Sequence, residues 1–575
     1  MIDPVTAAAA GLAGYRLIKE WLKPRESQPL VHPAPLRREK PTAEVMPLFT
    51  PHRGGHRTTL AAAAHALRSR PGPLFEMAGA LWPAREYLNK LLLFTGRPGA
   101  GKTTMQKLMM GSVAELFPEL VMRWFVIDPT NAYLPFLFQI LPEDVEIIRA
   151  TPSDAQGWRW NVRADITSET LNEAFQTALF PDSLFKKSGD PFWMTKAREV
   201  AQAIVTLYLF LGAKWEFWDL VIPIKYPQFL KPILRQCPLT KGTVKHDLVG
   251  RLGRDIVTTC SSVINRMATA AAQWQHARYA FSLTEFLDNP NRVMHFAFTP
   301  EQMAALSGIA NAMSYTMLLL ALQRNDEWNH TYFWMDESRF LDAITGMELM
   351  AARGRGSGIG ATFSIQAKPG AEASWGKERA AEMFDLVSTW VTFSAGYQTA
   401  ADFCRAVGQV EGIEKSYGTS DTASTSRTTT HTSGGSRSGQ GVGGGRNVTT
   451  GTNWGTSHST TMSFSHSRSE NFKLTTRDAV LPGEITNLPY ADSHTDSLEG
   501  FAFNPDVGAF HFEVPFLEYF AGLSPAPFSA MPLRPADQQV LQPWNKEDLL
   551  RLGFELTPDL MKALTLTWGL SGGVS

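Results

Sequence analysis

Between the apolar run Leu91-Leu92-Leu93-Phe94-Thr95 and a helical pattern carried by Met105, Leu108, Met109, Val113 and Leu116 lies Gly96-Arg97-Pro98-Gly99-Ala100-Gly101-Lys102-Thr103-Thr104. Nothing else in the chain restricts its fold as tightly. Gly96 to Thr103 satisfies G-x-x-x-x-G-K-[S/T], a pattern that means a phosphate cradle where a buried strand runs into it and a helix leaves it. Both flanks are present. Glycines let successive backbone N–H groups turn inward around an anion, and the start of the following helix adds positive partial charge. Gly96, Arg97, Pro98, Gly99, Ala100, Gly101, Lys102, Thr103 and Thr104 are therefore the expected nucleotide-binding loop. Lys102 should reach the β- and γ-phosphates, and the Thr103 hydroxyl suits Mg2+, which prefers oxygen ligands. ATP and Mg2+ are the expected cofactors.

A phosphate loop of this kind needs carboxylates from a second strand. Tyr332-Phe333-Trp334-Met335-Asp336-Glu337 has the required form, four apolar residues followed by an acidic pair. Asp336 is assigned to the magnesium shell and Glu337 to polarising the attacking water, since phosphoryl transfer depends on positioning and charge stabilisation. The next strand pattern, Ala361 to Ile365, ends at Gln366. In a parallel sheet that residue emerges beside Asp336 at the carboxyl edge, where ligands bind in open α/β folds, and it is assigned as γ-phosphate sensor. Between the two strands lies Ala351-Ala352-Arg353-Gly354-Arg355-Gly356-Ser357-Gly358, a basic glycine-rich turn. Arg355 is the candidate guanidinium for a neighbouring subunit's nucleotide, because arginine supplied in trans offsets transition-state charge. Asp128, ending Phe125-Val126-Ile127-Asp128-Pro129, fits either the border of the site or a structural strand end.

Further apolar runs, Trp124 to Ile127, Val293 to Phe298 and Trp390 to Phe393, read as strands covered on both faces, and helical patterns separate most of them. The expected fold class is α/β: a RecA-like P-loop NTPase sheet with an inserted all-α domain. Residues 1–57 read as a short helix (5–15) and a Pro-rich linker, 58–167 as the first part of the nucleotide-binding domain, and 168–280 as the insert, where Ile256, Cys260, Ile264, Met267, Ala271 and Trp274 recur at helical steps. Residues 281–415 form the second part of the sheet domain. The Ser/Thr/Gly-rich stretch 416–470 reads as a flexible loop or a hairpin shaped by its neighbours, 471–535 as closing strands, and 536–575 as a helical tail.

The chain is 44% hydrophobic and 19% charged, which suits a globular protein, and its net charge of -1 gives no overall pull toward nucleic acid. Any DNA contact must come through a local patch or channel. Lys241, Lys245, Arg251 and Arg254 form a basic cluster in the insert, equally suited to a solvated helix face. The insert's aromatic residues Phe192, Trp193, Trp215, Phe217 and Trp218 are of the type that stacks bases but are assigned to the core. Cys237, Cys260 and Cys404 have no metal-ligand spacing and are expected as buried reduced thiols. No uninterrupted run approaches the roughly 18 apolar residues of a membrane span, so a cytoplasmic chain without a transmembrane segment is expected.

The P-loop, the strand ending Ile127-Asp128-Pro129, the insert beginning Pro191-Phe192-Trp193, Asp336-Glu337, the Arg355-to-Gln366 segment and Val480-Leu481-Pro482-Gly483-Glu484-Ile485-Thr486-Asn487-Leu488-Pro489 together resemble type IV coupling proteins, the TraD/TraG-like conjugation ATPases of the FtsK-HerA superfamily. The likeness covers about residues 90 to 490. Many families share the P-loop; the order of the later motifs is more specific. It implies that Lys102, Thr103, Asp336, Glu337 and Gln366 hold nucleotide and magnesium, and that Arg355 acts across subunits of a homo-hexameric ring. It further implies a DNA translocase that receives a relaxase-bound strand, relaxosome or effector cargo and feeds a type IV secretion channel through its ATPases and inner-membrane components. Two departures stand out. Most members carry N-terminal transmembrane helices, so here a peripheral position at the inner face of the inner membrane is expected. Where the family usually has Asp-Pro-Lys, this chain has Asp128-Pro129-Thr130. Competing functions are a secretion ATPase for protein effectors, a DNA-pumping ATPase not tied to conjugation, and a recruitment platform that uses ATP only to hold its ring.

Overall fold

The computed structural model describes residues 49–54, 57–180, 191–299, 301–337, 346–435, 452–491, 496–528 and 530–571. The expected helix at 5–15, nearly all of the Pro-rich linker and Gly443-Gly444-Gly445 lie outside them. Nine strands build the main sheet: β1 (Leu91–Thr95), β2 (Val121–Asp128), β3 (Glu146–Arg149), β4 (Arg292–Ala297), β5 (Asn329–Met335), β6 (Ile359–Ile365), β7 (Thr389–Thr392), β8 (Ser497–Asn504) and β9 (Gly508–Pro515). Their spatial order is β9-β8-β7-β1-β6-β5-β2-β4-β3. From β7 to β3 every pairing is parallel, and β8 and β9 add an antiparallel edge. The fold is the expected α/β P-loop sheet of RecA type, with β6 lying between the P-loop strand β1 and the acidic strand β5.

Period-two alternation divides the strands between two apolar layers. Leu91, Leu93, Phe125, Ile127, Phe333, Met335, Phe363 and Ile365 join one core with the helices that connect β3 to β4. Leu92, Phe94, Trp124, Val126, Tyr332, Trp334, Val391 and Phe393 join another with Met105, Met109, Met110 and Val113 of the P-loop helix. Because both faces are covered, the strands read as unbroken apolar runs. β3 was not among the expected strands: it is an edge strand of four residues, Glu-Ile-Ile-Arg, whose charged ends break the apolar signal.

The connection from β3 to β4 includes the helices Glu169–Leu179, Pro191–Leu211, Phe217–Lys225, Gly250–Ile264 and Ala268–Gln275. Ser168 starts the first of them by accepting from the Leu171 N–H. Trp215 and Phe217 are buried, and Phe217 meets Trp274 edge-on at 5.2 Å, so these aromatics serve packing. Phe192, by contrast, is 45% exposed. All three cysteines are buried thiols. Among the described residues Ala305–Arg324 is a helix long and apolar enough to cross a membrane, but 67% of its most apolar window is buried within the fold. Polar residues interrupt its apolar run, and one of them, Asn311, donates to the Ala178 carbonyl at 2.7 Å, which marks it as a core helix. The C-terminal helices Lys546–Arg551 and Pro558–Ser571 lie against the same helical layer. Trp544 and Arg551 bind the fully buried Asp219 there, at 2.8 Å and 2.9 Å.

The Ser/Thr-rich stretch is a hairpin and not a loop where it is described. Gln409–Gly435 and Thr452–Asp478 are strands of 27 residues each, and Glu414–Phe472 belongs to a compact unit of its own. Gln409 donates to Asp478 at 3.0 Å and the Lys415 ammonium lies 5.0 Å from the Phe472 ring centre; both contacts fix the same antiparallel register. The sequence accounts for the strand. From Ser457 to Ser469 every odd position is Ser or Thr, while even positions carry residues such as His458, Met462, Phe464, His466 and Arg468. That is the period of a two-faced ribbon.

Candidate nucleotide site

The P-loop leaves β1 at Gly96 and closes on the helix Lys102–Ala114. Gly99 and Gly101 have φ of 75° and 100°, conformations that only glycine adopts freely. At Gly101 space is also exhausted, since a Cβ would lie 2.0 Å from Leu498 Cδ1. The Lys102 ammonium, 5% exposed, donates to the carbonyls of Gly96 at 2.9 Å and Arg97 at 3.2 Å and stands 4.0 Å from the Glu337 carboxylate. Thr103 and Thr104 are half-buried on the first helical turn, while Pro98 and Gly99 are exposed.

Register brings the second strand's carboxylates to this loop. Met335 pairs with Ile127 on one side and Phe363 on the other, so the next residues, Asp128, Asp336 and Ser364, emerge side by side at the carboxyl edge. Asp336 is 1% exposed and is gripped on both oxygens. Oδ2 accepts from the Thr103 hydroxyl at 2.8 Å and lies 3.3 Å from the Tyr133 hydroxyl, while Oδ1 accepts from Ser364 at 2.5 Å and the Glu337 N–H at 3.0 Å. Glu337 has φ of 47°, a left-handed conformation that costs a non-glycine residue about 1–2 kcal/mol. In this conformation its side chain meets Gln366, which donates to Oε1 at 2.8 Å. Thus Lys102, Thr103, Asp336, Glu337 and Gln366 converge.

Arg355 does not join them. It is exposed in the 3-10 turn Gly354–Ser357 that precedes β6, whereas Gln366 follows β6, so the two lie at opposite edges of the sheet. Asp128 turns out to be structural: it is fully buried, and its oxygens accept from the Thr130 N–H and hydroxyl, the Tyr133 N–H and His295. Burial opposes its charge, yet the bonds from His295, Tyr133 and Thr130 hold its carboxyl below the usual carboxylate range. Thr130, standing where the family usually has lysine, closes this turn. A nearby cation comes instead from Lys107 of the P-loop helix, whose ammonium donates to the Ala132 carbonyl at 3.3 Å. Burial pushes that ammonium below the ordinary lysine range, and Asp128 and Asp336 partly restore it.

Three residues around Asp336 had not been singled out: Ser364, Tyr133 and Gln106. Ser364 carried a signal, being a hydroxyl inside the apolar run of β6. Tyr133 and Gln106 carried none. Elsewhere, Lys241, Lys245, Arg251 and Arg254 are all exposed, as a solvated face or a contact patch requires. Among the described residues no group of three or more His, Cys, Asp or Glu side chains is placed to hold a metal by itself. Thr103 and Asp336 still fit Mg2+, because that ion keeps several waters and takes few protein ligands beside phosphate.

No curated protein matches the chain in sequence. The conjugative coupling protein TrwBdeltaN70 in its unbound form superposes with a TM-score of 0.61 at 13% identity, over 84% of this chain and 97% of that one. TrwB in complex with ADP and Mg2+ gives 0.62 at 14% identity, over 84% and 98%. TrwB with the non-hydrolysable analogue ADPNP gives 0.59 at 14% identity, over 85% and 97%. Residues 81–505 match the sequence model of the type IV secretion-system coupling protein DNA-binding domain, and with most of its length inside that match the chain belongs to this family.

Proposed function

We propose that this chain is the ATP-hydrolysing motor subunit of a conjugative coupling protein, which recruits DNA or nucleoprotein and drives it toward a type IV secretion channel. The observation that carries the reading is the 2.8 Å bond between Thr103 and Asp336, which joins the phosphate loop to the acidic strand in a chain of coupling-protein family. The TrwB complexes with ADP, Mg2+ and ADPNP support nucleotide and magnesium as ligands. Lys102 and the loop N–H groups of Gly96 to Thr104 bind the phosphates, and Thr103 and Asp336 hold the metal. When bound, Mg2+ neutralises charge that develops on the phosphoryl oxygens. Glu337, held by Gln366, takes the hydrogen bond of the attacking water, and Gln366 senses the γ-phosphate. Arg355 serves the nucleotide of a neighbour in a homo-hexamer. The helical insert, 168–280, is the part that meets cargo, at the cytoplasmic face of the inner membrane.

ATP turnover of the full chain, measured with and without single- and double-stranded DNA, tests this. DNA should stimulate turnover and bind more weakly as salt rises, and Lys102→Ala should abolish hydrolysis. Turnover indifferent to DNA of every length and strandedness would leave a protein-effector ATPase as the better reading.

A further inference from the structure

Tyr133 sits just before the helix Leu134–Ile140, 1% exposed, with its hydroxyl buried beneath Asp336. We infer that Tyr133 is a positioning residue for the metal-binding carboxylate, setting the Asp336 oxygen that faces Thr103; the inference rests on the nucleotide and magnesium reading above. Its hydroxyl lies 3.3 Å from Asp336 Oδ2 and 2.9 Å from Gln106 Oε1. One hydroxyl has one proton and donates to one of them. Among the described residues Gln106 Nε2, fully buried, has no partner. Turning the amide of Gln106 over removes the conflict: Nε2 then donates to the tyrosine oxygen, and the hydroxyl is free to donate to Asp336. The result is a one-way chain of donors, Gln106 to Tyr133 to Asp336.

The tyrosine is itself held. Its backbone N–H donates to the buried Asp128 at 2.8 Å, and Asp128 is fixed in turn by His295 and Thr130. The Asp128-Pro129-Thr130 turn therefore has a purpose at the site that its own carboxylate does not reach: it places Tyr133. Hydrogen bonds behind a metal-binding carboxylate fix its rotamer, and losing one typically lowers metal affinity at least tenfold.

The test is Mg2+ titration of the binding of fluorescent mant-ADP to the full chain, which needs no turnover. For Tyr133→Phe, which keeps the ring, the Mg2+ concentration at half-saturation should rise about tenfold, with binding in EDTA unchanged. Gln106→Met, which removes only the second partner, should shift it in the same direction but less. A Tyr133→Phe curve that superimposes on wild type overturns the inference, as does equal weakening with and without Mg2+. If Tyr133→Phe does not fold, a Gln106→Met curve that superimposes on wild type overturns it. Wild-type binding indifferent to Mg2+ overturns the site reading and this inference with it.

Discussion

If Arg355 works only across a subunit boundary, two inactive variants should restore activity to one another. The geometry rules out action within one subunit. Arg355 lies before β6 and the nucleotide loop meets the residues after it, and β6 is seven residues long, about 23 Å at roughly 3.3 Å per residue. No side chain crosses that distance within one subunit. An arginine supplied in trans is worth about 10^3 to 10^5 in kcat, or roughly 4–7 kcal/mol. Arg355→Ala alone should therefore lose at least about a thousandfold in turnover while its own nucleotide loop still binds mant-ADP. Lys102→Ala should be inactive because its loop cannot hold the phosphates. In a mixed ring, a competent interface takes Lys102 from an Arg355→Ala subunit and Arg355 from a Lys102→Ala neighbour. Random assortment at equal amounts makes about one quarter of the heterologous contacts competent, so the mixture should regain a measurable share of wild-type turnover where each parent has almost none. The assay is steady-state ATP hydrolysis of the pair after exchange, with exchange confirmed by energy transfer between labelled subunits. A mixture no faster than its parents, or an Arg355→Ala protein that hydrolyses ATP normally, refutes the reasoning.

Glu337→Gln should keep Mg2+-dependent mant-ADP binding while turnover falls about 10^2- to 10^4-fold, as loss of a positioned base predicts; near-normal turnover would instead favour the recruitment platform. Gly101→Ala combines a left-handed φ with a Cβ 2.0 Å from Leu498, and should cost about 1–2 kcal/mol for the backbone and 1–3 kcal/mol for the overlap, with nucleotide binding lost. Gly99→Ala meets open space and should show only the backbone part by denaturant titration. Arg551→Ala strands the buried Asp219 carboxylate and should lose about 3–5 kcal/mol at pH 7, most of it recovered in Asp219→Asn/Arg551→Ala. The pH dependence follows from the sign of the shift. Burial already raises the Asp219 carboxyl in the folded chain, and loss of Arg551 raises it further, so ionisation above that value is the destabilising event. Denaturant midpoints of Arg551→Ala and wild type should therefore converge as pH falls from 7 toward 5.

The strands of the sheet were legible because parallel strands covered on both faces leave unbroken apolar runs, as in Leu91 to Phe94 and Tyr332 to Met335. β3 was not, because an edge strand keeps charged ends. The composition of the long Ser/Thr tract allows a flexible loop or a hairpin shaped by its neighbours, and composition does not reveal the alternation that makes it two strands over the described part. Ala305–Arg324 shows the converse case, a helix apolar enough for lipid whose polar positions bond to neighbouring helices inside the fold.

At the site, residue identity was readable and adjacency was not. Lys102, Thr103, Asp336, Glu337 and Gln366 announce themselves through motif and strand end, each being a local signal. What joins them is register, which sets Asp128, Asp336 and Ser364 in one row and then gives the three unequal work. Ser364 and Thr103 take opposite oxygens of Asp336 because β6 and the P-loop helix flank it, and Asp128, one strand further out, is left to anchor Tyr133. A polar residue at the end of an apolar strand thus acquires its role from which strands stand beside it. The sheet order, and not the residue type, decides that Asp336 faces the phosphate loop while Asp128 faces inward; Arg355, ahead of β6, stands at the far end of that strand from both.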